Sequence, residues 1–154
     1  MKFNKLGLIG ALCAAGLLGN TPALATDTAT VTVSASVTGT CKFNNGGTVG
    51  FTLDPSVGGN VPGTVSQPKF WCTKGATYGI VDDTGLYVSS GVKRMKHATL
   101  TEYIPYSFSY TASGKGSGPG LPITLDIAST VVAADYLNAS AGSYADTVTL
   151  TITP

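Results

Sequence analysis

Apolar and polar residues alternate strictly over 29–37. Ala29, Val31, Val33, Ala35 and Val37 are apolar, and Thr30, Thr32, Ser34 and Ser36 lie between them. Successive side chains of an extended chain point to opposite faces, so the five apolar groups share one face. The other end of the chain repeats the pattern, with Val148, Leu150 and Ile152 set between Thr147, Thr149, Thr151 and Thr153. Between the ends, three further sets alternate: Val49, Phe51 and Leu53; Ile104, Tyr106, Phe108 and Tyr110; and Ile123, Leu125 and Ile127. Shorter strands are predicted at 69–73, 77–81 and 86–89. Turns fall at Asn44-Asn45-Gly46-Gly47, Gly58-Gly59-Asn60, Asp82-Asp83-Thr84-Gly85 and along 113–120. Many short strands divided by Gly, Asn and Pro predict an all-β fold, an antiparallel β-sandwich. No repeat of fixed period and no linker divides it.

A different pattern precedes these strands. Lys2 and Lys5 are followed by an apolar run from 6 to 18, then by Asn20-Thr21-Pro22 and Ala23-Leu24-Ala25. A basic start, an apolar stretch and a small-x-small site predict a secretory signal peptide over 1–25, cleaved after Ala25. The run is short for a membrane span, and no later one approaches that length. Leu12 before Cys13 argues against a lipoprotein. The mature chain then carries seven basic groups against eight acidic ones, a balance that recruits neither nucleic acid nor anionic lipid. It retains two cysteines, Cys41 and Cys72. An even pair in an oxidising compartment, with no nearby His and no Cys-x-x-Cys spacing, predicts a structural disulfide rather than a metal or redox site.

Composition deepens the β reading and thins out catalysis. There are 22 Thr and 13 Ser but one Glu, one His and one Trp. His97 sits in a basic stretch with no adjacent carboxylate to orient it as a general base. No Gly-x-Ser-x-Gly elbow, glutamate pair or three-ligand metal cluster occurs, and no cofactor is implied. The Gly/Ser/Lys tract at 113–118 lacks the order of a phosphate-binding loop and reads as a flexible hairpin or loop. Lys93, Arg94, Lys96 and His97 form the one basic cluster. It reads as a solvated strand blunting a sheet edge, with an anionic surface or glycan as the functional alternative. Tyr106 and Tyr110 share the face of Ile104 and Phe108, a core spacing, whereas Tyr103 falls on the other face. Tyr144 reads as a packing residue with its hydroxyl on backbone, and Asp146 as a turn or edge residue.

The two ends carry functional information. The sequence stops at Pro154, directly after a strand, whereas an extended amphipathic strand stands ahead of the first cysteine. Together they suggest a sandwich lacking a strand and a peptide able to supply one. Residues Val37-Thr38-Gly39-Thr40-Cys41, then Thr48-Val49-Gly50-Phe51 and Phe70-Trp71-Cys72-Thr73-Lys74-Gly75, resemble the spore coat protein U domain family. The ending Gly142-Ser143-Tyr144-Ala145-Asp146-Thr147-Val148-Thr149-Leu150-Thr151-Ile152 resembles its closing motif. That family is similar to the major subunits of archaic chaperone–usher pili. The resemblance spans essentially the whole mature chain and is weakest over 87–121.

The resemblance implies an incomplete immunoglobulin-like β-sandwich lacking its last strand, over 39–154, preceded by an N-terminal donor strand over 26–38. It implies that a periplasmic chaperone lends the missing strand and that, at an outer-membrane usher, the extension of the next identical or related subunit replaces it. The donor residues are then Ala29, Val31, Val33, Ala35 and Val37. Val148, Leu150 and Ile152 border the acceptor groove and core. This is strand addition to an exposed edge, where main-chain bonds give affinity and alternate side chains give specificity. Each buried Val contributes about 1.5–3 kcal/mol before ordering costs. The expectation is a non-enzymatic secreted subunit that polymerises by donor-strand exchange into a surface fibre. The alternatives are a spore-coat or envelope coat protein made without an usher, and a monomeric carbohydrate-binding adhesive sandwich. In the latter cases 29–37 is simply the first strand of a complete domain.

Overall fold

The computed structural model describes residues 26–154; the predicted signal peptide, 1–25, lies outside them. The chain divides at Ala35/Ser36 into two units. In the first, residues 26–35 carry no helix or strand, and Val31 and Val33 are 82% and 88% exposed. The alternating pattern at 29–37 therefore has no ladder partner among the described residues, despite its β propensity. An isolated strand buries nothing and has no stability of its own.

The second unit is an all-β, immunoglobulin-like antiparallel sandwich. Its strands are β1 (Cys41–Asn45), β2 (Thr48–Gly50), β3 (Val61–Pro62), β4 (Thr64–Ser66), β5 (Lys69–Cys72), β6 (Thr77–Asp82), β7 (Lys93–His97), β8 (Tyr103–Tyr110), β9 (Ser113–Lys115), β10 (Ile123–Thr124), β11 (Ile127–Val131), β12 (Tyr144–Ala145) and β13 (Leu150–Thr153). One turn of helix, α1 (Ala133–Tyr136), follows β11. The strands pair in the orders β1-β5-β10, β12-β7-β8-β11-β3, β13-β6-β9 and β2-β4. Several stretches leave one sheet and continue in another, among them β1 into β2, β3 into β4, β10 into β11, and β12 into β13. Switching sheets in this way wraps two short-stranded layers around one interior.

That interior has two centres. Phe70, Cys72, Tyr78, Ile80, Leu125 and Ile127 form one, with Phe43, Phe108, Tyr110, Leu150 and Ile152 packed on it. Ile104, Val131 and Tyr136 form the other, joined by Phe51, Leu53, Met95, Tyr106 and Tyr144. The alternating sets at 104–110 and 123–127 thus point inward as their period requires. Phe51 and Leu53 do so too, although the ladder ends at Gly50.

Several local expectations change. The set at 123–127 is not one strand but β10 and the start of β11, which lie in different sheets, and the closing strand begins at Leu150, with Val148 outside it. The stretch 86–89 is not a strand: Ser89 and Val92 make a lone bridge, because Gly85, Ser90 and Gly91 all have positive φ and turn the chain there. The tract 113–120 is not a loose loop, since β9 pairs with β6 and Gly116 and Gly118 are buried. Finally, β7 does not blunt an edge. It lies between β12 and β8, and His97 is buried because Tyr144 of β12 packs edge-on against its ring at 4.9 Å.

Candidate functional site: a trough between two strand edges

Of the strands with a ladder partner on one side only, β1 and β2 border one side of an opening and β12 and β13 the other, with β1 and β13 approaching each other at one end. Between them lie three cavities of about 410, 610 and 490 Å³. They share lining residues and merge into one trough. Gly47, Val148 and Leu150 belong to the first and third, and Val49, Phe51, Met95 and Tyr144 to the first and second. The walls run antiparallel. Phe43 to Gly47 stand opposite Val148 to Leu150, and Val49 to Pro55 stand opposite Ala139 to Tyr144. Met95, Ile104, Tyr106, Phe108, Ile127 and Tyr136 contribute to its floor.

Each wall is anchored from behind. Cys41 and Cys72 are directly opposed across β1 and β5 and form a disulfide with Cα atoms 4.1 Å apart. The bond ties the start of the first wall to an inner strand. Gly63 lies so close to Val49 and Phe51 that a Cβ there would sit 2.6 Å from Val49 Cγ1. That approach sets those side chains at the trough.

The second wall is held by a polar network. Glu102 accepts hydrogen bonds from the Ser140 N–H (3.0 Å), the Ser140 hydroxyl (2.7 Å) and the Tyr144 hydroxyl (3.0 Å). These bonds, led by the Ser140 hydroxyl, keep its carboxyl below the usual range. Tyr144 also lies 3.0 Å from the Ser140 carbonyl oxygen. His97 Nδ1 accepts from the Thr99 and Leu100 N–H groups at 3.1 and 3.0 Å, which requires the neutral tautomer with its proton on Nε2. Asp146 accepts from Leu86 N–H at 2.9 Å and from the Tyr106 hydroxyl at 2.7 Å. Burial first, and that bond second, push the Tyr106 hydroxyl far up. Lys93 is paired with Asp82. The sole Glu and sole His therefore serve as struts, a role their rarity in the sequence did not reveal.

The residues singled out from sequence fall in distinct places. Val148 and Leu150 line the trough, and Leu150 and Ile152 pack on the first core centre. Ile152 does not line the cavities. Ala29, Val31, Val33 and Ala35 are exposed in the first unit, and Val37, in the second, is 85% exposed. Sequence reasoning missed the first wall: Phe43, Val49 and Phe51 alternate in period two, but nothing in that period says that their strand has a free edge. Among the described residues no group of three His, Cys, Asp or Glu is placed to hold a metal, and no helix is long and apolar enough to cross a membrane.

The family model described as the spore coat protein U domain matches residues 27–151. The chain belongs to the spore coat protein U domain family. No curated protein matches it. Among solved structures it is similar to a chain in the complex described as the CsuC–CsuE chaperone–tip adhesion subunit pre-assembly complex from archaic chaperone–usher Csu pili of Acinetobacter baumannii. That likeness has 20% identity and a TM-score of 0.45, over 76% of this chain and 40% of that one. This spore coat U domain chain thus spans less than half the length of that neighbour.

Proposed function

We propose that this protein is a secreted structural subunit that polymerises by donor-strand exchange, residues 26–38 of one copy filling the trough of the next. The observation that carries this is the match between the trough and the segment. A trough bounded by strand edges offers backbone groups on both sides, and its floor presents the apolar side chains of Met95, Ile104, Phe108 and Ile127 beside the rings of Tyr106 and Tyr136. A wall from Phe43 to Leu53 spans roughly 33 Å when extended, long enough to take 29–37, which spans about 26 Å. Five apolar side chains then fall on one face against the floor, with Thr and Ser outward. A strand inserted there joins both edges, so main-chain bonds supply affinity and the floor selects the side chains.

An unfilled trough of this size exposes apolar surface, which favours aggregation. The subunit therefore needs a temporary strand from a periplasmic chaperone, and an outer-membrane usher where exchange occurs. Residues 1–25 serve as the export signal, and the product is a cell-surface fibre. No catalytic role is assigned.

A diazirine-bearing leucine analogue at position 33 tests the reading. In assembled material it should crosslink to a neighbouring copy, with mapped partners confined to 43–55, 139–150 or the floor. Assembly with crosslinks elsewhere, or only within one chain, would refute it. Co-expression with and without a chaperone and usher separates the pilus from a coat assembled without them.

A further inference from the structure

We propose that the outer face of β7 and β8 binds an acidic saccharide, a sugar chain bearing carboxylates, at Arg94, Lys96, Tyr87 and Tyr103. Along β7, Met95 faces the trough, so Arg94 and Lys96 face the other way. They stand opposite Pro105 and Tyr103 of β8. The Arg94 guanidinium carbon lies 4.3 Å from the centre of the Tyr103 ring, and Lys96 Nζ lies 5.7 Å from that of Tyr87. The two rings are 6.0 Å apart and inclined at 57°. Arg94 Nε donates to the Tyr87 carbonyl at 2.9 Å, which fixes the guanidinium.

Neither cation is neutralised. Among the described residues the one salt bridge is Lys93–Asp82. The nearby carboxylates are committed elsewhere, Glu102 to Ser140 and Tyr144, and Asp146 to Leu86 and Tyr106. The remaining guanidinium nitrogens form a fork suited to a carboxylate. Tyr103 and Tyr87 are part-exposed and each carries a cation over one ring face, so it is the uncovered ring surface and the hydroxyl that they offer to the C–H face and polar edge of a sugar.

Charge complementarity and number select this occupant. Anionic membranes are held by clusters of about four to eight cations, and nucleic acid affinity grows with each phosphate neutralised. Two cations with two aromatic rings suit one carboxylate on a stackable ring. Because this face is opposite the trough, it stays open when the trough is filled. A single site binds weakly; repetition along a polymer, which rests on the proposed function, raises avidity without new contacts.

The test is retention of the purified full chain on immobilised polygalacturonate, against neutral dextran, poly-glutamate and phosphatidylglycerol vesicles. Selective retention on polygalacturonate is expected. The double change Arg94→Gln and Lys96→Gln should weaken it about tenfold or more. Tyr103→Leu, which keeps both charges, should weaken it about fivefold, with Tyr87→Leu as a second aromatic variant and thermal melts to show that each is folded. No retention, or retention unchanged by both tyrosine variants, overturns the proposal, the latter as simple ion exchange. Equal capture by poly-glutamate or vesicles overturns it in favour of a protein or membrane partner. Val33→Asp, which addresses the trough, should leave binding unchanged once residues 26–38 are supplied as a separate peptide to fill the trough, so the two readings fail separately.

Discussion

At the scale of single residues, the tightest constraints are on atoms that leave no room. A Cβ on Gly116 would sit 2.4 Å from the Thr73 carbonyl oxygen and 2.6 Å from that of Cys72, both backbone and unable to move aside. Gly116→Ala should therefore cost roughly 1–3 kcal/mol, read as a lowered melting temperature. Joint replacement of Cys41 and Cys72 by Ser should cost more, about 3–4 kcal/mol for a loop of 31 residues, read by denaturant unfolding. Titration adds a third constraint. Asp82 is held below its ordinary value near 3.8, chiefly by its bond to Lys93. Its stabilising contribution is present above that value and fades as pH falls through the lowered one. Tyr110, which donates to Asp82 at 3.0 Å, is pushed up to about 12, first by burial and then by that bond. Its contribution holds below about 10 and is lost as pH rises towards 12. Stability should thus stay level from about pH 5 to 9 and fall on both sides. Asp82→Asn should lower the plateau and soften the acid limb; an unchanged pH profile would contradict the assignment.

At the scale of elements, a strand was legible where an apolar alternation marks its buried face, as at 104–110 and 150–152, because burial imposes the period. It was not legible at β11, where buried Ser129 interrupts the apolar pair Ile127 and Val131. Less was legible where glycine acts by closeness rather than by freedom. The tract 113–120 looks flexible from composition, yet Gly114 packs against the Tyr78 ring and Gly116 against backbone. The basic stretch at 93–97 likewise resembles an edge strand by charge alone. Arg94 and Lys96 lie over tyrosine rings contributed by β8 and the 84–92 turn, and Lys93 lies over Phe108 and pairs with Asp82, a placement that depends on tertiary contacts. The trough was the least legible feature. Period two reports which face is buried, not whether an edge has a partner, and the first wall therefore went unseen while Val148 and Leu150 were found. β13 permits a paired test of its phase. Leu150→Asp places a charge against the core without a partner, costing several kcal/mol, and the protein should be degraded. Thr151→Asp, one residue on and exposed, should accumulate normally. Similar abundance of the two would mean that β13 does not border the interior as described.

At the scale of the whole molecule, the proposed function divides the labour of assembly between the two units: one carries an exposed alternating segment with no ladder partner, and the other an open trough. Neither feature is stable in isolation. The segment buries nothing, and the trough leaves two edges and an apolar floor open. A chain in which each unit satisfies the other's deficit in a neighbouring copy grows head to tail, since a heterologous contact that does not close produces a filament. Deleting residues 26–36 separates the roles. The truncated protein keeps both core centres, the disulfide and both walls, so it should fold when residues 26–38 are supplied as a peptide. It should bind that peptide one to one and terminate growing fibres, because it accepts a strand but offers none. Val33→Asp in the full chain should mimic the loss, since a charge would enter an apolar trough unpaired. Size-exclusion chromatography with and without peptide, together with fibre counts by electron microscopy, gives the result. Normal polymerisation by the truncated chain would exclude donor-strand exchange. Failure to fold even with peptide present would instead make 26–36 an internal strand of a complete sandwich and return the protein to the monomeric readings.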